Sequence, residues 1–268
     1  MFSILSTIAR HWPFANGSGR FLDKFCAHVD LGSGQRTART SDGFPMQVYA
    51  DDLIGRHLLM SGAFGRSSIQ VLLELANPGD VFVDIGANIG YYSAVFLSNV
   101  KNSTAICFEP QPGVVDLLRA NVGQFTGRST VHELGLGDKD GELRFQINHT
   151  NRGASRVSPE GELSIPVRNA ATVFAELTKA DLIKIDVEGY EEPIFRAIQG
   201  ELRRLKPRAI LFEDHGDAAA PEGALGSVLQ RAGYTVWGVD KRLFKTELVP
   251  INSRDDCRFI DYLAQRQP

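Results

Sequence analysis

Apolar runs that alternate with predicted helices are the feature that most constrains the fold of this 268-residue chain. The runs are apolar throughout and do not alternate with polar residues, which is typical of parallel strands covered on both faces. A repeated order of strand and helix predicts an open, doubly wound α/β sheet. The predicted strands are VFVDIG, TAICFEP, TVHELGL, ADLIKIDV, RAILFED, YTVWGVD and CRFIDYLA, and the predicted helices lie near 90–99, 113–123, 190–205 and 222–232.

One segment interrupts this order between the third and fourth predicted strands. In GDKDGELRFQIN, the hairpin-turn dipeptide Asp140-Gly141 precedes alternating apolar residues at 143, 145 and 147. A second strand-like stretch, LSIPV, begins at residue 163. The pattern predicts an inserted antiparallel hairpin.

The first 45 residues have no clean period, and they are predicted to form an N-terminal accessory segment ahead of a main domain at 46–268. The stretch LGSGQRTARTSDG is rich in Gly, Ser and Arg, which predicts a flexible joint. MFSILSTIA has no basic residue before its apolar part, so we interpret it as a short docking helix or a frayed end, and not as a signal peptide. FPMQVYA then predicts a strand and SSIQVLLELA a helix.

Composition excludes several classes of protein. With 29 basic and 32 acidic residues the net charge is −3, which argues against an extended surface for nucleic acid. No apolar run approaches the roughly 18 residues of a membrane span. Cys26, Cys107 and Cys257 are widely spaced and form no CxxC pair, so we expect neither a disulfide framework nor a zinc site. Such cysteine usage suits a reducing compartment, and we expect a cytoplasmic protein.

The strongest local motif is the turn Asp84-x-Gly86-x-Asn88-x-Gly90, between a strand and a helix. Glycines at such a turn let the backbone approach a ligand, and the helix N-terminus offers free N–H groups. The motif therefore predicts a nucleotide-type cofactor. Asp84 is expected to hold an ammonium group or to brace the loop. The dinucleotide fingerprint GxGxxG is absent, which counts against a nicotinamide cofactor.

A second acidic residue strengthens this interpretation. Glu109 ends the next predicted strand, 25 residues after Asp84. A carboxylate at that position can accept hydrogen bonds from both hydroxyls of a ribose.

Several stretches together identify a resemblance that covers roughly residues 46–262. VFVDIGANIGYYS, CFEP, GLGDKDGELRF, DLIKIDVEGYE, LFED and the upstream MQVYADDLIGRHLLMSGAF resemble, in order, the FkbM family of S-adenosylmethionine-dependent methyltransferases. The resemblance implies a Rossmann-like class I methyltransferase sheet and S-adenosyl-L-methionine as cofactor. It places Asp84, Gly86, Asn88 and Gly90 around the methionine half of the cofactor, Glu109 at its ribose, and Gly135, Leu136 and Asp138 near its adenine.

The family also implies the acceptor class, a hydroxyl on a sugar or another small molecule. Many members carry an acidic residue before the fourth strand, where this chain reads RNAATVF instead. The polar stretch 148–161 lies between the two inserted strands. It is expected to form either a lid over the acceptor or a mobile surface loop.

Candidate catalytic residues follow the fourth and fifth predicted strands. Asp186 and Glu188 stand at a strand tip on the rim where open α/β sheets bind ligands, and His215 follows the neighbouring strand. Asp186 or His215 would remove the proton of the acceptor hydroxyl. Lys184 lies inside the strand and needs a partner, either Asp186 or Glu213. These carboxylates and His215 offer ligands that suit magnesium, but we predict no metal site.

Two other functions remain open at this point. A nicotinamide-dependent oxidoreductase would share the sheet and Glu109 but lacks its fingerprint here. A non-catalytic binding domain could keep the fold for partner recognition. The sequence predicts no oligomeric state.

Overall fold

The computed structural model describes residues 2–267. The helices are α1 Phe2–Arg10, α2 Ser18–Cys26, α3 Leu53–Ser61, α4 Arg66–Leu73, α5 Tyr91–Asn99, α6 Val114–Gly123, α7 Ala170–Glu176, α8 Glu191–Leu205 and α9 Ala224–Arg231. The strands are β1 Gln35–Arg39, β2 Pro45–Tyr49, β3 Val81–Ile85, β4 Thr104–Phe108, β5 Ser129–His132, β6 Gly135–Gly137, β7 Gly141–Gln146, β8 Arg156–Val157, β9 Leu163–Asn169, β10 Leu182–Ile185, β11 Ala209–Glu213, β12 Tyr234–Arg242, β13 Lys245–Pro250 and β14 Asp261–Arg266.

An eight-stranded sheet forms the centre, in the order β13-β12-β14-β11-β10-β3-β4-β5. Strands β5, β4, β3, β10 and β11 are parallel, and β14 lies antiparallel between β11 and β12. The chain runs outward from β3 to β5 and then returns to β10 on the other side of β3. The strand order therefore reverses between β3 and β10, where a crevice opens at the carboxyl ends of the strands. The doubly wound α/β prediction is confirmed.

Apolar side chains cover both faces of this sheet. Val83, Ile183 and Ile210 belong to a buried cluster with α7, α8 and α9. Phe82 and Leu182 alternate with them and belong to a second cluster with α3, α4 and α5. Strand β10 is buried along its whole length. Burial on both faces explains why these strands read as unbroken apolar runs.

The N-terminal region is more ordered than its sequence indicates. Helix α1 docks on α3, where Ser6 Oγ donates to Met60 O at 2.8 Å. The docking-helix interpretation is thus confirmed, whereas the flexible joint is wrong for residues 35–39, which form β1 and pair antiparallel with β2. That hairpin spans the predicted domain boundary at residue 45, and the division into two domains stays a prediction.

The insertion is larger than a hairpin. Strands β7 and β9 pair antiparallel, as expected, with Leu143 opposite Ile165. They belong to a four-stranded sheet in the order β6-β9-β7-β8, in which β6 is parallel to β9. Because β9 lies between β6 and β7, the Asp140-Gly141 turn does not join two paired strands. Periodicity also missed α7 and the edge strand β13, which is polar and half-exposed.

Candidate active site

A cleft lies where the strand order reverses, at the carboxyl ends of β3, β4, β10 and β11. Of the residues predicted for the site, seven line it: Gly86, Asn88, Glu109, Gly135, Leu136, Asp186 and Glu188. Asp84, Gly90, Asp138 and His215 do not line it. The structure thus brings most of the predicted site into one cavity and moves four residues behind or beside it.

The glycine turn, residues 86–90, shapes one wall of the cleft. Gly86 has φ +75°, and a Cβ added there would lie 1.8 Å from the backbone oxygen of Asp186. Glycine is therefore required because the turn packs against the end of β10. Gly90, with φ +81°, begins α5 and packs against Leu118, where an added Cβ would lie 2.6 Å from Leu118 Cδ1. Close backbone packing explains both glycines without a ligand.

Glu109 is fixed beside this turn. Asn88 N donates to its Oε2 and Gln111 N donates to its Oε1, both at 2.9 Å. The residue is only 6% exposed, and burial raises the pKa of its carboxyl to about 7. Two backbone donors hold the carboxylate at the cleft wall while each oxygen keeps a free lone pair for a ligand hydroxyl.

Asp84 acts from behind the cleft. It is fully buried, and its Oδ2 accepts from Ser93 Oγ at 2.7 Å. Its Oδ1 lies 3.5 Å from Lys184 Nζ. Asp84 thus pairs with the ammonium of Lys184 and, through Ser93, ties β3 to α5.

Lys184 links the two halves of the cleft. Its Nζ donates to Gly86 O at 2.9 Å and lies 3.2 Å from Asp186 Oδ2. Burial lowers the pKa of this ammonium, but Asp186 and Asp84 outweigh burial, so the pKa is raised. Asp186 is thus the ion-pair partner, as expected, together with Asp84, the register neighbour of Lys184 on β3.

Three acids meet at the carboxyl ends of β10 and β11. Oxygens of Asp186, Glu188 and Glu213, here called the acid cluster, all lie within 4.8 Å of one another. Burial and the charge of Asp186 outweigh Lys184 and raise the pKa of Glu213 to about 8. Burial and Asp186 also raise the pKa of Glu188. Like charges at this spacing favour retention of a proton in the cluster near neutral pH.

His215 stays outside this cluster. Its side chain is 61% exposed, and Nε2 lies 3.7 Å from Glu213 Oε2. Its charge lowers the pKa of the Glu188 carboxyl. Asp138 is likewise exposed and takes part through its backbone, which accepts from Asn169 Nδ2 at 2.8 Å.

The covering segment, residues 148–157, closes one side of the cleft. Asn151, Arg152, Gly153, Ser155 and Val157 line the cavity. Arg152 N donates to Asp52 Oδ1 at 2.6 Å, and Asp52 also caps α3. Sequence reasoning noted this segment but missed Arg152 and Asp52. Paired acids directly ahead of an apolar helix are a capping pattern that could have drawn attention to Asp52.

Within residues 2–267, no helix combines the length and apolar character that crossing a membrane requires.

The sheet order, the antiparallel β14 and the glycine turn facing a buried strand-end acid define a Rossmann-like class I methyltransferase fold. The Methyltransferase FkbM domain matches residues 84–236, more than half of the chain. The chain belongs to the FkbM methyltransferase family.

Two curated relatives carry methyltransferase names. Hexuronic acid methyltransferase AglP of Haloferax volcanii is 28% identical over 138 residues, which cover 50% of this chain and 56% of that protein. 2-O-methyltransferase NoeI of Sinorhizobium fredii is 25% identical over 177 residues, which cover 58% of this chain and 71% of that protein. The chain thus spans little more than half the length of the first relative.

Among solved structures, methyltransferase FkbM from Methylobacillus flagellatus is 16% identical. That match covers 98% of this chain and 57% of that one, with a TM-score of 0.45.

Proposed function

We propose that this protein is an S-adenosyl-L-methionine-dependent O-methyltransferase whose acceptor is a hydroxyl on a sugar or another small molecule. The observation that carries the proposal is the cleft itself, which is lined by the glycine turn, by Glu109 and by the three members of the acid cluster. The names of two relatives, a hexuronic acid methyltransferase and a 2-O-methyltransferase, support a sugar acceptor.

The donor set of the cleft fits this cofactor. Glu109 suits a ribose diol because its oxygens are fixed and charged groups make strong hydrogen bonds. Leu136 and Gly135 provide the wall for the adenine, and Gly86 and Asn88 border the methionine half. Asp84 and Gly90 support the turn from behind, and Asp138 supports the adenine wall from outside.

Residues of the chain do the positioning that this reaction needs. When bound, the cofactor supplies an electrophilic methyl group on a sulfonium centre. The acid cluster faces the acceptor side, where Asp186 takes the proton of the hydroxyl. Lys184 orients Asp186 and ties it to the glycine turn, so the base and the cofactor wall keep a fixed separation. The covering segment excludes water from the cleft.

Other functions predict different ligands. A nicotinamide-dependent oxidoreductase would bind NAD, and a non-catalytic domain would bind a cofactor without turnover. The absence of GxGxxG and the position of the acid cluster favour methyl transfer. A cytoplasmic location, the lack of a nucleic-acid partner and the lack of a metal remain predictions.

Calorimetry with S-adenosylhomocysteine and with NAD tests the proposal first. We expect binding of S-adenosylhomocysteine and none of NAD, and the reverse result would contradict the proposal. Transfer of labelled methyl to uronic acids and neutral sugars then tests the acceptor class. Cofactor binding without transfer to any hydroxyl acceptor, in host extracts as well, would favour the non-catalytic domain.

A further inference from the structure

Arg152 is a cleft residue whose guanidinium has no hydrogen-bond acceptor. It lies in a short 3-10 turn, Arg152–Ala154, of the covering segment, and its side chain is 18% exposed. Nη1 is fully buried, and no guanidinium N–H donates a hydrogen bond within the part of the chain that the structure describes. The nearest carboxylate oxygens, on Asp51 and Asp52, lie 3.7 and 3.8 Å from Nη1.

Neighbouring groups hold this guanidinium in place but leave its hydrogen bonds unmade. Tyr49 stacks under it, with Arg152 Cζ 4.2 Å from the ring centroid. Both oxygens of Asp52 already accept backbone N–H groups, from Arg152 and Ile54. Asp51 is 45% exposed. A buried donor without a partner is costly, and a planar fork of N–H groups matches a carboxylate.

The position of Arg152 relates it to one end of the cleft. A methyl group added at the next residue, Gly153, would lie 3.7 Å from Asn88 Nδ2. Asn88 belongs to the glycine turn, which borders the methionine half of the cofactor under the proposed function. Arg152 lines the cleft, whereas Tyr49, over whose ring the guanidinium lies, does not.

We propose that Arg152 binds a ligand carboxylate in this cleft, and the closeness of the adjacent residue Gly153 to Asn88 of the glycine turn favours the methionine carboxylate of the cofactor. This inference rests on the proposed methyltransferase function. The same chemistry has a second possible source, the carboxylate of a uronic acid acceptor. Arg152 is therefore a residue that recognises the acidic end of a ligand, a role that Lys184 and Glu109 do not fill.

Calorimetry on the full chain compares Arg152→Gln with the unmodified protein and uses two probes. The probes are S-adenosylhomocysteine and its decarboxylated analogue, which keeps the ammonium. We expect Arg152→Gln to weaken S-adenosylhomocysteine about 10- to 100-fold and the analogue less than about threefold. Arg152→Lys should give an intermediate loss because it keeps the charge without the fork.

Arg156→Gln is the matched control, since Arg156 is exposed in the same covering segment and does not line the cleft. It should leave both affinities unchanged, and melting temperatures verify that each variant folds. Equal weakening of both probes by Arg152→Gln would overturn the inference, because the residue would then only shape the segment.

If Arg152→Gln weakens neither probe, binding of D-glucuronate and of D-glucose in the presence of S-adenosylhomocysteine decides. Selective loss of D-glucuronate binding would assign the carboxylate to the acceptor, and no selective loss would overturn the inference. If the unmodified protein binds no S-adenosylhomocysteine, the proposed function fails and this inference fails with it. If the unmodified protein binds it and Arg152→Gln shows no selective loss for either carboxylate, this inference fails alone.

Discussion

The two halves of the cleft are built from different kinds of interaction. On the side of β3 and β4, backbone N–H groups and glycine packing fix the wall, and Glu109 is held by two such donors. On the side of β10 and β11, side-chain charges set the geometry, because Lys184 and the acid cluster influence one another. A wall made of backbone suits a constant cofactor, whereas coupled charges suit proton transfer to or from a variable acceptor.

Replacing Asp186 should separate these halves most strongly. If Asp186 takes the proton of the hydroxyl, Asp186→Asn should lower kcat by about 10²- to 10⁴-fold, because the base acts in the transition state. The affinity for S-adenosylhomocysteine should stay within about threefold of the unmodified protein, since Gly86 O still accepts from Lys184. Single-turnover methyl transfer and calorimetry measure the two quantities.

A structural role for Asp186 would give a different pattern. Lys184 would lose one of its two acidic partners while remaining charged in the sheet. Cofactor affinity and melting temperature would then fall together with kcat. Near-normal turnover would show that Asp186 is not the base and would direct attention to Glu213.

Replacing Glu109 tests the backbone-built half. Glu109→Ala removes the acceptor of the ribose hydroxyls, so the affinity for S-adenosylhomocysteine should fall by ~1.5–3 kcal/mol. The 2′-deoxy analogue of S-adenosylhomocysteine should lose less, because it lacks one of the hydroxyls that Glu109 would accept. Calorimetry with both ligands gives the coupling. Equal losses would mean that Glu109 merely supports the turn through Asn88 and Gln111.

Sequence patterns predicted one half of the cleft better than the other, for a physical reason. The glycine turn follows β3 and Glu109 follows β4, and because these strands are parallel neighbours, strand order alone brings the turn and Glu109 together. The roles of side chains depend on depth, which spacing does not encode. Asp84 is buried behind the turn, and His215 lies at the surface although it follows Glu213 by only two positions.

The covering segment illustrates the same limit. Arg152 and Asp52 are 100 residues apart and meet only because the insertion folds back over α3. No local pattern links them. Another pair of distant residues was predictable. Asp84 and Lys184 occupy matched positions on the neighbouring parallel strands β3 and β10, so alignment of the two strands would have identified their contact.

The pH dependence of stability sharpens the contrast on the charged side. The pKa of Glu213 is raised to about 8, so the folded chain keeps a proton that the unfolded chain releases near pH 4.5. This contribution to stability is fully present below about pH 4.5 and is lost as pH rises to about 8. Glu213→Gln cannot ionise and should avoid this loss.

We therefore expect Glu213→Gln to raise the melting temperature by about 2–6 °C at pH 8.5 relative to the unmodified protein, and by less at pH 4.5. Glu160→Gln, which replaces an exposed acid of the insertion, is the control and should shift neither curve. Parallel melting curves for Glu213→Gln across this range would mean that Glu213 carries no raised pKa.

His215 should give the smallest effect. Its imidazole is largely solvated and lies 3.7 Å from Glu213 Oε2, too far for a direct hydrogen bond and outside the cleft lining. Because water screens an exposed charge, His215→Ala should reduce kcat by less than about threefold. The charge of His215 lowers the pKa of the Glu188 carboxyl, so the variant should also move the limb of the kcat profile that the acid cluster sets slightly upward in pH. A loss of 100-fold with an unchanged profile would instead place His215 at the acceptor. In that case His215 would have to move from the surface toward the acceptor when both ligands bind, and the β10 and β11 side of the cleft would be the mobile side.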